Sequence, residues 1–282
     1  METILRTKEL TKRYHKVCAA DHVTLSIQKG DIFGFVGANG AGKTTFMRMV
    51  CGLIRPTEGE LELFGASSPK ELQSMRRRMG ALIEHPALYA NMTALQNLDV
   101  QRRYLGMDFG GQPKKALREI LELVGLAEAA DKKAGRFSLG MRQRLGLAMA
   151  LVGDPEFIIL DEPTIGLDPI GVMELRRLVL KLNQERKMTI LFSSHNLAEM
   201  AQIATKYGFL DRGRLLEVIS GEKIGRVCQE RGINLENYFV ELLLEHRGAD
   251  RRGAGDNGNG WGPGGSAAGS GAGTVGTEAG RK

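Results

Sequence analysis

Residues 31–51 read DIFGFVGANGAGKTTFMRMVC, and they give the clearest indication of the chain's architecture. The apolar start, Asp31–Val36, predicts a buried strand, and Thr44–Cys51 predicts a helix that stops before Gly52. Short β-branched runs alternate with longer helical stretches from Ile4 to about Glu217. This alternation is typical of an α/β domain with a largely parallel sheet.

A glycine-rich turn joins this strand to this helix and fits the pattern G-x-x-x-x-G-K-[ST]. Glycines let successive backbone N–H groups face phosphate oxygens, and the helix N-terminus adds positive potential. We therefore predict a nucleoside triphosphate site, in which Lys43 reaches the β- and γ-phosphates and the Thr44 hydroxyl binds Mg²⁺. A chance match in a glycine-rich chain is the alternative, and the flanking strand and helix argue against it. The predicted phosphate-binding residues are Gly37, Ala38, Asn39, Gly40, Ala41, Gly42, Lys43, Thr44 and Thr45.

Two acidic residues follow a second apolar run. Glu156–Leu160 predicts a buried strand, and Asp161 and Glu162 come directly after it. Ligands of α/β sheets collect at the carboxyl ends of the strands, so we predict that Asp161 helps to hold Mg²⁺ and that Glu162 polarises the attacking water. The two acids could instead be solvated turn residues, but Pro163 makes the turn rigid and would hold both carboxylates at the sheet edge.

The remaining pattern extends the α/β domain and adds a C-terminal helix. Met188–Phe192 predicts another central strand and Pro169–Gln184 a helix. Helical spacing on one face predicts a C-terminal amphipathic helix that docks onto the main domain, through Leu235, Tyr238, Phe239, Leu242, Leu243 and His246. Of the last 35 residues 13 are glycine, so 248–282, with Trp261, is expected to be disordered.

Composition narrows the function classes. No window approaches the roughly 18 to 20 apolar residues of a membrane helix, and the first residues do not resemble a secretion signal, so we expect a cytosolic protein. The net charge is +6, yet the basic residues are dispersed without interleaved aromatics, and nucleic acid is not an expected partner. The three cysteines lie far apart, so we expect reduced thiols and no metal cluster.

Between the two halves of the predicted site lies FSLGMRQRLG at 137–146, which resembles the ABC signature motif, normally LSGGQ. Ser138 and Gly140 match that motif, whereas Leu139 and Met141 depart from it.

The order of all the motifs resembles an ABC nucleotide-binding domain, because Tyr14 precedes them and an Asp168 loop and His195 follow. The resemblance implies a P-loop NTPase of the ABC ATPase type, an α/β fold with a mixed, mostly parallel sheet. It assigns 1–218 to this domain and about 86–155 to a helical subdomain within it, and the helical spacing described above places a C-terminal helical extension in 219–247.

The resemblance also implies roles for single residues. Tyr14 stacks on adenine, His195 contacts the γ-phosphate, and Ser138 and Gly140 grip the terminal phosphate of an ATP bound to the opposite subunit. ATP would thus be sandwiched between two copies of the chain. The expected cofactors are ATP and Mg²⁺, and the expected catalytic residues are Lys43, Glu162 and His195.

Glu84 stands where the family usually has a glutamine that senses Mg²⁺ and the membrane subunit. A glutamate there resembles the bacitracin and lantibiotic exporter or immunity branch, and a carboxylate can still accompany Mg²⁺. The expected metal-binding residues are therefore Thr44, Glu84 and Asp161.

Membership of that branch implies a motor at the inner face of the membrane. It would work through separate integral membrane permease subunits and would export a peptide antibiotic or a similar lipophilic compound. Two alternatives stay open: a soluble ABC ATPase acting on ribosomes or DNA, and the motor of a nutrient importer. The first usually has two such domains or a long inserted coiled coil, and neither occurs here. The second shares all the catalytic residues.

Overall fold

A computed structural model of the chain describes residues 2–253. The strands are β1 (Thr3–Tyr14), β2 (Val17–Gln28), β3 (Ile32–Val36), β4 (Glu58–Leu63), β5 (Met79–Leu82), β6 (Phe157–Asp161), β7 (Thr189–Ser194), β8 (Lys206–Asp211) and β9 (Arg214–Ser220). The helices are α1 (Lys43–Val50), α2 (Pro69–Met75), α3 (Ala94–Leu105), α4 (Pro113–Leu123), α5 (Leu139–Leu151), α6 (Pro169–Arg186), α7 (Leu197–Met200), α8 (Gly221–Arg231) and α9 (Leu235–Gly253).

The central sheet has six strands in the order β5-β6-β7-β3-β8-β9. All neighbours are parallel except β8 and β9, which form an antiparallel pair at one edge. The strands β3, β6 and β7 are buried along their whole length, as expected for parallel strands covered on both faces. The predicted mixed, mostly parallel sheet is confirmed.

A second sheet was not predicted. Strands β1, β2 and β4 form an antiparallel sheet in the order β2-β1-β4. Its inner residues join Phe33, Phe35 and Phe46 in one apolar cluster, so this sheet packs on β3 and α1. Strands and helices alternate from β3 onward, as the sequence predicts for a parallel sheet. Before β3 they do not alternate, because β1 and β2 are consecutive long strands that pair with each other.

A helical layer, α3 to α5, fills the predicted subdomain region between β5 and β6. Helix α3 starts with a capping box between Thr93 and Gln96, and Ser138 caps α5 by accepting a hydrogen bond from the Met141 N–H. Leu98, Leu121 and Leu145 are fully buried, and they belong to the same apolar core as one face of the central sheet.

The C-terminal extension docks as predicted. On α9 the Phe239 ring stacks on Phe209 of β8 with centroids 5.4 Å apart, and the Tyr238 hydroxyl donates to Glu217 Oε2 at 2.7 Å. Two boundaries differ from expectation. Strand β9 runs to Ser220, past the expected domain end at 218, because Ile219 and Ser220 still pair with Tyr207 and Lys206 of β8. Helix α9 runs to Gly253, past the expected end at 247.

Residues up to Leu244 form one compact unit, and a second begins at Glu245. The rest of the predicted disordered tail, with Trp261, lies outside the described residues. Within residues 2–253, no helix combines the length and apolar character needed to cross a membrane.

Candidate active site

The parallel register brings three strand ends together. Val36 at the end of β3 lies beside Ser194 of β7, and Asp161 at the end of β6 lies beside Ser193. The glycine-rich loop after β3, the two acids after β6 and His195 after β7 therefore share one edge of the sheet.

The glycine-rich loop requires glycine at Gly42. This residue has φ of +104°, and a Cβ atom there would lie 2.4 Å from the Ala19 carbonyl oxygen. Helix α1 begins directly after it, with no side-chain cap and no acidic residue in its first turn. The first N–H groups of α1 are thus available to an anion, with the favourable end of the helix dipole behind them. A small cleft of about 190 Å³ is lined by this loop from Asn39 to Thr45, by Ala19 and by Glu162.

Backbone hydrogen bonds from the β8–β9 turn and the start of β2 support the glycine-rich loop. The Gly213 N–H donates to the Ala41 carbonyl at 2.9 Å, and the Asp21 N–H donates to the Gly213 carbonyl at 2.8 Å. Arg214 Nε donates to Asp21 Oδ2 at 2.8 Å and holds the pKa of this carboxyl below its ordinary value, with a further contribution from His22. The β8–β9 turn and the start of β2 thereby fix the loop.

Lys43 is buried, with only 6% of its side chain exposed. Its Nζ donates to the Gly37 carbonyl at 2.6 Å and to the Ala38 carbonyl at 3.3 Å, and it lies 3.3 Å from Glu162 Oε1. A buried ammonium needs such partners, and phosphate oxygens can replace them.

Asp161 is the centre of a hydrogen-bonded group. Thr44 Oγ1 donates to its Oδ2 at 2.7 Å, and Ser193 Oγ donates to its Oδ1 at 2.6 Å. Ser193 Oγ also accepts from the Glu162 N–H at 2.9 Å. The Thr44 hydroxyl and the Asp161 carboxylate place hard oxygen atoms side by side, and Mg²⁺ prefers such oxygen ligands.

Glu162 has a different environment from its neighbour Asp161. Its backbone is left-handed, with φ of +48°, and Pro163 follows. Oε2 lies 2.7 Å from His195 Nδ1, while Oε1 is buried and accepts no hydrogen bond from any residue between 2 and 253. The Lys43 ammonium near Oε1 is placed for an ion pair but not aligned for a hydrogen bond. Oε1 is therefore a buried carboxylate oxygen that is stabilised by the charge of Lys43 and not by a hydrogen bond from the described residues.

Two predicted residues lie outside this group. Glu84 Oε2 accepts from Arg48 Nη2 on α1 at 2.7 Å, and more than half of the Glu84 side chain is exposed. Tyr14 ends β1, partly exposed, with Lys12 Nζ 5.0 Å from its ring centroid. Neither side chain lines the cleft of the glycine-rich loop.

Ser138 and Gly140 lie in a separate cleft. It has a volume of about 690 Å³, it is lined by 125–129, Ser138–Met141 and 166–168, and it shares no residue with the cleft of the glycine-rich loop. Asp168 caps α6 there by accepting from the Gly171 N–H at 2.8 Å. The N-termini of α1 and α5 thus lie at two different clefts of one chain.

Two residues of the site were missed by the sequence reasoning. Ser193 connects Asp161 to Glu162, and Ala19 bounds the glycine-rich loop. A hydroxyl near the end of a buried strand, two residues before the predicted His195, was an available signal for Ser193. Ala19 offers none, because only its backbone carbonyl takes part.

Comparison with known proteins identifies the family of the chain. The family model described as ABC transporter matches residues 20–165. The bacitracin transport ATP-binding protein BcrA of Bacillus licheniformis is 45% identical over 249 residues, covering 87% of this chain and 80% of that protein. The lantibiotic transport ATP-binding protein SrtF of Streptococcus pyogenes is 38% identical over 246 residues, covering 86% of this chain and 100% of that one. A solved dimeric structure of an ATP-binding cassette in a post-hydrolysis state, bound to ADP and Pi, matches with a TM-score of 0.71 at 27% identity, covering 77% of this chain and 98% of that chain.

Proposed function

The chain belongs to the ABC transporter family as an ATP-binding, ATP-hydrolysing subunit, and from this premise we propose that it drives export of a peptide antibiotic or a similar lipophilic compound. The observation that supports a motor most directly is the meeting of Lys43, Thr44 and Asp161 with Glu162 and His195 at one sheet edge. Family members named for bacitracin and lantibiotic transport support the cargo class.

In the proposed chemistry each side chain of the site has its own role, which its surroundings support. ATP phosphates bind the N–H groups of the glycine-rich loop, and Lys43 exchanges its carbonyl and Glu162 partners for phosphate oxygens. Glu162 Oε1 takes the proton of the attacking water, with the carboxylate held by His195 Nδ1 on its other oxygen. Thr44 and Asp161 would hold Mg²⁺, and the ion would neutralise charge on the phosphates. Glu84 is proposed to accompany Mg²⁺ only after leaving Arg48.

A second copy of the chain completes the proposed site. Ser138 and Gly140 lie in a cleft apart from Lys43, so within one subunit they do not line the cleft that receives the phosphates. The N-terminus of α5 in one copy would bind the terminal phosphate of ATP held by the other. Tyr14, at the end of β1, is proposed to stack on the adenine.

Coupling to transport requires a permease, and we place the chain at the inner face of the membrane through that partner. The surface around Glu84 and the start of the helical layer is the proposed contact. Tyr89 there is about half exposed.

Glu162→Gln tests the catalytic proposal. Because the amide cannot take the proton, we expect hydrolysis to fall by about 10²- to 10⁴-fold while ATP stays bound and a dimer accumulates. Phosphate release and size-exclusion chromatography with Mg²⁺ and ATP measure both effects. Lys43→Ala is the matched control, which should lose dimerisation together with turnover. Normal turnover by Glu162→Gln would remove Glu162 from the proposed role.

Co-purification and transport test the partner and the cargo. We expect the chain to co-purify from membranes with an integral membrane protein, and cells expressing both to resist a bacitracin-type peptide. Co-sedimentation with ribosomes in place of membrane association would favour the soluble alternative, and ATP-dependent uptake would favour an importer.

A further inference from the structure

Two contacts between a leucine and a glycine join the N-terminus of α5 to the loop that follows Glu162. Leu139, the first residue of α5, lies on Gly166, since a Cβ atom added to Gly166 would be 2.1 Å from Leu139 Cδ2. In return Leu167 lies on Gly140, where an added Cβ atom would be 3.1 Å from Leu167 Cδ2. Each segment thus places a leucine on a glycine of the other, and this packing fixes their relative position.

The loop that begins at Glu162 is constrained over the residues that lead to Gly166. Pro163 fixes one φ angle, and the Ile165 N–H donates to the Glu162 carbonyl at 3.2 Å. Gly166 itself has φ of +78°, a conformation that residues with a side chain rarely adopt. A displacement of Gly166 is therefore passed through a short and constrained segment to Glu162, the proposed proton acceptor.

The contact depends on the departure of this chain from the usual signature motif. That motif has glycine where this chain has Leu139, and a glycine has no side chain that could contact Gly166. The Leu139 side chain is 48% exposed, so its removal takes little from the core. It lines the cleft at Ser138 and not the cleft of the glycine-rich loop. Substitution of Leu139 therefore alters the loop without altering the proposed phosphate-binding residues around Lys43.

We propose that Leu139 is a positioning residue for hydrolysis, which sets the place of Glu162 in its own chain by packing on Gly166. Ser138, its neighbour at the same helix end, is proposed to bind the ATP held by the other copy. The contact thus connects the phosphate bound in one composite site with the proton acceptor of the other site. Its effect on turnover rests on the proposed function, whereas its effect on the loop does not.

Hydrogen exchange of the full-length, nucleotide-free chain tests the contact without any need for turnover or pairing. In Leu139→Ala the loop loses the side chain that covers it, so we expect the amides of Ile165 and Leu167 to exchange faster by about 5-fold or more. Leu139→Met keeps an apolar side chain of similar length and should exchange as the wild type does. Leu244→Ala, the same substitution at an exposed position of α9, is the matched control. Unchanged exchange in Leu139→Ala would overturn the proposal.

Steady-state ATPase kinetics test the role of the contact in turnover. We expect Leu139→Ala to lower kcat by about 10-fold and to change the KM for ATP by less than about 2-fold, and Leu139→Met to retain the wild-type rate. Gly166→Ala should also lower kcat, because the new methyl group displaces Leu139 and strains the backbone. In the Leu139→Ala background only the strain remains, so Gly166→Ala should reduce kcat by a factor about 5-fold smaller. Additive effects of the two substitutions would contradict the contact.

Mixed dimers with one intact site show in which chain Leu139 acts. Each pairs a Lys43→Ala chain with a chain whose Lys43 is intact, and two affinity tags isolate the mixed species. Leu139→Ala in the chain with intact Lys43 alters the loop at the Glu162 that serves the intact site, so the rate should fall by about 10-fold. Leu139→Ala in the other chain leaves that loop unchanged, and the rate should stay within about 2-fold of the mixed dimer without it.

Equal losses in the two arrangements, or a greater loss in the second, would show that Leu139 does not act on Glu162 of its own chain. A mixed dimer that is inactive even with Leu139 in both chains would count against the proposed composite site alone, because the exchange experiment does not depend on that site.

Discussion

At the residue scale, two adjacent carboxylates have unlike surroundings. Both oxygens of Asp161 accept hydrogen bonds from hydroxyl groups, whereas Glu162 keeps one buried oxygen without a hydrogen bond from the described residues. A fully satisfied carboxylate is suited to hold a cation in place, and a carboxylate with a free lone pair is suited to receive a proton. The division of labour proposed for the pair follows from these surroundings.

Ser193→Ala tests the link between the two acids. The variant removes the hydroxyl that donates to Asp161 Oδ1 and accepts from the Glu162 N–H, and both of these groups stay buried. We therefore expect the free energy of unfolding to fall by about 1–3 kcal/mol and the ATPase rate to fall as well. Urea denaturation and phosphate release measure these. Ser194→Ala is the control, because it removes a neighbouring buried hydroxyl that accepts from the Asn196 N–H, and an equal effect in both variants would contradict the assignment.

Glu84→Gln tests the residue that distinguishes this chain from the usual family pattern. The amide cannot form the ion pair with Arg48, which is exposed and contributes about 0–1 kcal/mol, so stability should change little. We expect ATP-driven transport with the permease to change more than the basal ATPase rate of the isolated chain. A parallel fall of transport and basal rate would instead make Glu84 part of the catalytic group.

At the scale of elements, the β8–β9 turn supports the glycine-rich loop through backbone hydrogen bonds and the Asp21–Arg214 pair. The start of β2 completes this support. The loop therefore depends on elements remote in sequence, and its supports can be altered without touching a phosphate-binding residue.

Asp21→Asn should lower stability in a pH-dependent manner. The pKa of the Asp21 carboxyl is lowered in the folded chain, so the contribution of Asp21 is fully present above the unfolded pKa of about 3.9 and is lost as pH falls through the folded value. We expect a lower Tm than wild type at pH 7 and a difference that narrows below about pH 4. Thermal unfolding by circular dichroism from pH 3 to 8 measures it, and a pH-independent difference would show that the pair is not the cause.

At the scale of the whole molecule, the separation of the cleft at Lys43 from the cleft at Ser138, together with the proposed composite site, predicts complementation between copies. Lys43→Ala damages one half of a composite site and Ser138→Phe the other. In a mixed dimer one site carries both defects and the other carries none. We therefore expect a mixture of the two variants to hydrolyse ATP faster than the sum of the separate proteins. If each half acted within its own chain, mixing would restore nothing.

The sequence by itself determined the local parts of the site. The loop from Gly37 to Thr44, the rigid turn after Glu162 and the cap at Ser138 depend on φ angles and hydrogen bonds between residues a few positions apart, so glycine, proline and serine at set spacings encode them. The fully apolar runs likewise indicated the central strands.

Tertiary structure alone decided which distant segments contact these local parts of the site. Thr44 and Asp161 meet, and Gly213 reaches Ala41, because strand order and register bring together segments more than a hundred residues apart. The separate antiparallel sheet and the contacts of Ser193 have the same origin. Such pairings depend on the packing of whole layers, and no local pattern of residues records which surfaces will meet.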